Sequence, residues 1–136
     1  TLSKLATFTE GILILGGDFN LPLDPLADSS TGHSTITQAA IRRIRKTLQD
    51  IRLVDTWRTL NPDGQDYTYY LPFHRRYSHI DYIFIQQEGL TSLKKAEIRP
   101  TPWADHSETS IHLDSPLFRP ARTAWSMNEL LLLEVL

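Results

Sequence analysis

Three short stretches carry side chains that could do chemistry together: GGDFN at Gly16–Asn20, SHIDYIF at Ser78–Phe84 and ADHS at Ala104–Ser107. Residues two apart in a strand face the same side. Asp18 and Asn20 would therefore point together if a strand runs through them. A carboxylate accepts and an amide can donate, so that pair could hold an attacking water and a phosphate oxygen. The plainer reading of D-x-N after a strand is an Asx-type turn. In the second stretch Asp81 alternates onto one face with Ile83 and Ile85. A carboxylate on an apolar face needs a partner, because an unpaired one costs several kcal/mol to bury (about that order). His106 is a candidate partner, with the logic of a carboxylate that orients a histidine and stabilises its imidazolium form. Asp81 capping a loop or pairing with an Arg, and a surface position for His106, are the plain alternatives. Imidazole titrates near neutrality, which suits proton transfer during water attack on a phosphodiester. Asp105 adjoins His106, and adjacent side chains on an extended segment diverge, so rather than orienting His106 it could ligate a divalent metal or position a nearby group. The set as a whole matches metal-assisted phosphodiester hydrolysis. Mg²⁺ takes one or two carboxylates plus waters and substrate phosphate, so a sparse site suffices, although this set is one carboxylate short of a firm cage.

These residues need strands and strand ends to hold them. Gly11–Leu15 reads as a short buried strand bounded by glycine, followed by a Pro-, Asp- and Ser-rich loop over Leu21–Gly32. Thr37–Arg52 reads as a helix: Ile41, Ile44, Leu48 and Ile51 recur at helical spacing, while Arg42, Arg43, Arg45 and Lys46 fall mostly off that stripe, as on a solvated face. RLVDTWRTL starts a second element, and NPDG at Asn61–Gly64 is a turn by composition. YTYY reads as a strand, LPFHRR as a loop or hairpin tip, and Tyr77–Ile85 as the clearest strand of all. Lys95–Arg99 and Glu108–Leu113 are further short strands, and RTAWSMNELLLLEVL is an amphipathic or apolar helix. Several short strands with one main helix imply an α+β or layered α/β domain.

The 136 residues fit one domain with a sizeable core, and 40% apolar with 22% charged residues is ordinary globular composition. There are no cysteines, which excludes disulfides and thiolate metal sites and fits a reducing compartment. A net charge of −2 is low for a protein that mainly grips DNA backbone, yet RRIRK and HRR are local basic patches that could meet phosphate. No apolar stretch is long enough to span a membrane, and TLSKLATFTE lacks a signal-peptide pattern. The only methionine is Met127, and the chain is expected to be a fragment.

GGDFN, SHIDYIF and ADHS, in that order and spacing, resemble the endonuclease/exonuclease/phosphatase superfamily, which includes apurinic/apyrimidinic endonucleases and pancreatic deoxyribonuclease. LVDTWRTLNPDGQDYTYY followed by YSHIDYIF is similar to the endonuclease of LINE-type (non-LTR) retrotransposons, and TAWSMNELLL looks like the segment leading toward a reverse transcriptase. The resemblance implies an α+β fold, a two-layer β-sandwich flanked by helices (DNase I-like). Only its second half is expected here, as residues 1–115, with residues 116–136 as a linker and the start of a helix. It implies Mg²⁺-dependent nicking of DNA, with Asp18 and Asn20 orienting water and contacting the scissile phosphate. Asp81 would support the catalytic His106, and Asp105 would lie near the metal. Thr68 and Ser78 would line the DNA-facing site, and the hairpin tip with His74, Arg75 and Arg76 would probe the DNA groove. A nuclear location follows if the parent element is active.

The sequence departs from the family at Ala104, where the pattern often has Ser, and in lacking a match to the metal-binding Glu motif, which FTE at Phe8–Glu10 does not fit. A missing N-terminal half and a downstream reverse transcriptase are therefore the implied partners, and the chain alone is expected to be a poor nuclease. A non-catalytic remnant with weak nucleic-acid binding, and another phosphoesterase or repair nuclease of the superfamily, are the competing readings. Half a sandwich is also expected to leave Ile12, Ile14, Ile83 and Ile85 under-packed.

Overall fold

The computed structural model describes residues 11–114. The expected helix at RTAWSMNELLLLEVL, the FTE stretch and the boundary at residue 115 lie outside them. The elements run β1 (Ile14–Asp18), α1 (Pro25–Asp28), α2 (Gln38–Asp50), β2 (Leu53–Asp55), α3 (Thr56–Leu60), β3 (Tyr69–Leu71), β4 (Arg76–Ser78), β5 (Asp81–Gln86), β6 (Leu93–Arg99) and β7 (Glu108–Leu113). Short 3₁₀ turns cover Pro72–His74 and Gln87–Ser92. The architecture is α+β, with β1, β5 and β2 in one antiparallel sheet and two hairpins, β3–β4 and β6–β7, beside it.

The expected helix forms as α2. The Thr37 hydroxyl caps it by accepting from the Ala40 amide at 3.3 Å. Ile41 and Leu48 are buried, while Arg42, Arg43, Arg45 and Lys46 stand in solvent. The basic run is therefore a solvated face, with Lys46 paired to Asp50 one turn on at 3.0 Å. The apolar stripe of α2 packs against Tyr82, Phe84 and Leu53 of the sheet, together with Leu21 and Leu23, and these form the core. Phe19 closes it with edge-on rings against Tyr82 and Phe84.

Several boundaries differ from expectation for identifiable reasons. β1 begins later than Gly11 and runs through both glycines to Asp18, because Gly16, Gly17 and Asp18 pair with Ile83, Tyr82 and Asp81 of β5. The Leu21–Gly32 loop contains α1, started by Asp24, whose carboxylate accepts from the Leu26 amide at 3.2 Å, with Pro25 at the first position. The expected strand Tyr77–Ile85 is two strands. His79 and Ile80 interrupt it, because the His79 amide donates to the Asp28 carbonyl at 2.7 Å and the Ile80 amide donates to the Thr68 hydroxyl at 3.0 Å. At that break the chain changes partner, from β3 on one side to β1 and β2 on the other.

The second face of the sheet is better covered than expected. Ile85 is 0% exposed and Ile83 is half-buried, while Ile14 remains 39% exposed. Gly89 of the turn after β5 closes on Ile12 and Ile85 so tightly that a Cβ there would lie 2.7 Å from Ile85 Cδ1. The β6–β7 hairpin lies over Ile83, and Ala96, Ile98 and Ile111 share one narrow void with it. Among the described residues β1 pairs only with β5, leaving its outer edge open.

A buried polar cluster braces the loop after β1. Asp28 is buried, pairs with the Arg58 guanidinium at 2.6 Å and lies 3.1 Å from the Tyr82 hydroxyl. That hydroxyl also accepts from the Leu23 amide at 2.9 Å. Burial, and then the charge of Asp28, pushes the Tyr82 phenol upward, so it stays protonated and can donate. His79 stacks on Tyr82 with ring centroids 4.7 Å apart, and burial holds it neutral by pulling its pKa down. Nothing in the spacing of Asp28, Arg58, His79 and Tyr82 marks them in the sequence as one cluster.

Candidate active site

Asp81 opens β5, where it sits opposite Asp18, the last residue of β1, so the pairing register alone brings two carboxylates to one end of the sheet. His106 arrives from the segment before β7. Its ring Nδ1 lies 2.9 Å from Asp81 Oδ2. An ionised carboxylate only accepts, so Nδ1 carries the shared proton. One ligating atom from each of Asp18, Asp81 and His106 falls within a 4.8 Å cluster.

The segment that carries His106 is pinned from both sides. The Tyr70 amide donates to the Asp105 carbonyl at 3.1 Å, and the Ser107 amide donates to the Thr68 carbonyl at 2.6 Å. The Thr101 hydroxyl donates to the His106 carbonyl. Tyr69 pairs with His106 across an isolated antiparallel bridge and lays its ring 4.8 Å from the imidazole. Desolvation works against a charge on His106. The hydrogen bond and charge of Asp81, followed by the charges of Asp18 and Asp105, outweigh it and raise the pKa above the ordinary histidine value.

Asp18 ends its strand by an Asx turn. Its Oδ1 accepts from the Asn20 amide at 2.7 Å, and Asn20 takes a left-handed φ of 54°. Of the two readings of D-x-N, the Asx turn holds and the side-by-side placement on a continuing strand does not, because the carboxylate captures the backbone two residues on and turns the chain. Asn20 stays exposed next to the cluster in sequence, with no side-chain bond among the described residues. Asp105 is exposed and outside the cluster, and it acts on His106 through charge alone.

Thr68 corrects a second expectation. It is 0% exposed, so it does not line a DNA-facing surface. Its hydroxyl accepts from the amides of both Ile80 and Asp81 at 3.0 Å, which places it behind the site. Ser78 is half-buried at the end of β4, opposite Tyr69. His74 and Arg75 sit at the exposed hairpin tip beside Phe73, which is 91% exposed, and Arg75 makes the left-handed turn there with φ 48°. Arg76 is tethered instead, donating from Nη2 to the Thr31 hydroxyl at 2.9 Å.

A groove of about 350 Å³ runs from His106 and Asp105 toward the hairpin, walled by Tyr67, Tyr69, Tyr70 and Tyr77. Tyr70 and Tyr77 stack there with centroids 4.5 Å apart. A larger cavity of about 550 Å³ lies between α2, β2 and α3 and contains none of the clustered residues, so its size does not make it the reactive centre. Two carboxylates at the clustered end fit a hard divalent cation such as Mg²⁺, which takes oxygen ligands and completes its shell with water and phosphate. With Nδ1 engaged by Asp81, the imidazole suits proton exchange at Nε2 better than ligation. The sequence does not mark Tyr69, since an aromatic in YTYY looks only like a strand residue, and it points to Thr68 as a surface residue rather than a buried clamp.

Among known proteins, the chain is 30% identical over 122 residues to the "Transposon TX1 uncharacterized 149 kDa protein" of Xenopus laevis, a match covering 88% of this chain and 9% of that one. No family model matches. The fold is similar to a 3′-5′ exonuclease, NExo, from Neisseria meningitidis, with a TM-score of 0.68 and 22% identity, covering 84% of this chain and 52% of that one. It is similar to a variant of the 3′ phosphatase NExo from Neisseria bound to product DNA hairpin, with a TM-score of 0.65, 23% identity and the same coverages of 84% and 52%. An AP endonuclease, LMAP, from Leishmania major aligns with a TM-score of 0.66 at 19% identity, over 76% of this chain and 35% of that one. The chain thus spans about half the length of the Neisseria enzyme and has the α+β, DNase I-like fold of these nucleases and phosphatases.

Proposed function

We propose that this chain is the second half of a DNA-nicking endonuclease domain of a LINE-type retrotransposon and hydrolyses phosphodiesters with Mg²⁺. The observation that carries the reading is the convergence of Asp18, Asp81 and His106 on one end of the sheet, with Asp81 2.9 Å from the imidazole. The similarity to a transposon protein supports the retroelement setting, and the nuclease fold supports the reaction class.

Asp18 and Asp81 are the residues that would hold Mg²⁺, with Asp105 near enough to add charge. When bound, the ion supplies charge neutralisation at the phosphate. Asp81 keeps the His106 ring in the Nδ1–H form, which leaves Nε2 to take a proton from the attacking water or return it to the leaving oxygen. Asn20 is an exposed donor beside Asp18 that can contact a phosphate oxygen. At the tip of the hairpin Arg75 supplies a cationic group and His74 a hydrogen-bonding ring for the DNA backbone.

Because the alignments take up 52% and 35% of the structural relatives, the remaining metal ligand is assigned to a further half-domain. The retroelement setting adds a reverse transcriptase downstream in the parent polypeptide. This chain by itself is then a weak nuclease or none, since effects within such a site are strongly non-additive. The test is to fuse a matching N-terminal half and measure Mg²⁺-dependent nicking of supercoiled plasmid, with His106→Ala as the control. Nicking that survives His106→Ala unchanged removes the imidazole from the mechanism.

The named activities of the structural relatives favour a second reading, an exonuclease, 3′ phosphatase or repair nuclease. Duplexes with a recessed 3′ end, a 3′-phosphate or an abasic site, offered against intact plasmid to the same fusion, separate the two.

A further inference from the structure

We propose that Thr68 is the positioning residue of the Asp81–His106 pair, holding Asp81 through its hydroxyl and the His106 segment through its backbone. The proposal rests on the reading of that pair as the proton-handling part of the site, but its geometry stands apart from any activity.

Every polar group of Thr68 is spent on the two stretches that must meet. Its Oγ1 accepts from the Ile80 and Asp81 amides, both at 3.0 Å. A hydroxyl oxygen has two lone pairs, so both are engaged at the start of β5. Its own amide donates to the Ser78 carbonyl at 2.9 Å, which closes the β4 side of the same turn. Its carbonyl accepts from the Ser107 amide at 2.6 Å, one residue past His106. Thr68 therefore lies between the two partners, and the ring–carboxylate distance of 2.9 Å is set across it.

Residue type matters here. Two amides converging on one buried oxygen need a short side chain whose acceptor sits close to the backbone. A β-branched χ1 keeps that oxygen in place. Valine has the same shape with no acceptor, so Thr68→Val would strand the buried Ile80 amide and the half-buried Asp81 amide and let the start of β5 reorient. Serine keeps the oxygen. The residue is 0% exposed, so none of these changes alters a surface that touches substrate.

The readout is the tautomer of His106, taken on this 136-residue chain without metal or DNA, at alkaline pH where the ring is neutral. Imidazole-nitrogen NMR distinguishes the Nδ1–H form from the Nε2–H form that free imidazole side chains prefer, and His106→Gln assigns the signal. Wild type is expected to hold the Nδ1–H form as its dominant tautomer. Thr68→Val is expected to lose that dominance while its backbone amide spectrum stays native, and Thr68→Ser to keep it. A Thr68→Val protein that retains the wild-type tautomer, or a Thr68→Ser protein that loses it, overturns the proposal.

If Thr68→Val does not fold, amide exchange in the wild type decides. Protected Ile80 and Asp81 amides support the clamp, and exchange at unprotected rates overturns it. None of these measurements depends on nicking, so a failure of the nuclease reading and a failure of this one are told apart.

Discussion

The Asp81 carboxylate lies 2.9 Å from Nδ1 of His106, although Asp81 opens β5 and His106 comes from the segment before β7, with all of β6 between them. In a fused, complete domain, His106→Ala is expected to lower the nicking rate by about a hundredfold to ten-thousandfold, the usual scale for removing a positioned acid or base. Asp81→Asn is expected to fall in the same range. The double variant should be little worse than the worse single one, because the pair acts as a unit. Additive losses in single-turnover nicking assays would show that the two residues act independently.

The same pair predicts a pH dependence of stability, and His79 predicts the opposite one. The pKa of His106 is raised in the fold, with the hydrogen bond and charge of Asp81 outweighing desolvation. Its contribution is therefore complete below the unfolded value of about 6.5 and is lost as pH climbs through the raised folded value. His79 is lowered, by burial first, so the fold loses stability as pH falls below about 6.5 and the unfolded chain takes up the proton. Urea midpoints across pH are expected to show the gap between wild type and His106→Gln closing on the alkaline side. Removing His79 should flatten the acid side. A gap for His106→Gln that widens with rising pH would contradict the ion-pair assignment.

Arg58→Ala is expected to destabilise the chain by about 3 kcal/mol or more, because it leaves the Asp28 carboxylate buried without its cation. The loss should be far smaller for Lys46→Ala, whose pair with Asp50 stands in solvent. Equal losses in the two denaturation curves would show that Asp28 finds another partner.

Gly89→Ala is expected to cost about 1–3 kcal/mol through overpacking. The new methyl would fall 2.7 Å from Ile85 Cδ1 and 2.8 Å from Ile12 Cγ2. Combined with Ile85→Val the two changes should be non-additive, since the valine removes one of the clashing atoms. Strictly additive melting shifts would place Gly89 away from that contact.

Much of the architecture is legible from local pattern. The 3.6-residue stripe of Ile41, Ile44, Leu48 and Ile51 dictates α2, because it gathers the apolar side chains on one face, and the alternation of Tyr82 and Phe84 against Asp81 and Ile83 dictates β5. The order of GGDFN, SHIDYIF and ADHS marked Asp18, Asp81 and His106 as residues worth bringing together. Long-range pairing decided the rest. The split of Tyr77–Ile85 depends on where the His79 and Ile80 amides find their acceptors, and the covering of Ile83 and Ile85 depends on apolar contacts from the turn after β5 and the β6–β7 hairpin. Those acceptors and apolar contacts are contributed by segments remote in sequence. Thr68 shows the difference most plainly: its place in YTYY reads as strand and the resemblance makes it a DNA-facing residue, and only the assembled fold puts its hydroxyl under Asp81 and its carbonyl beside His106. A sequence states which groups can bond, and the three-dimensional register fixes which of them are close enough to do so.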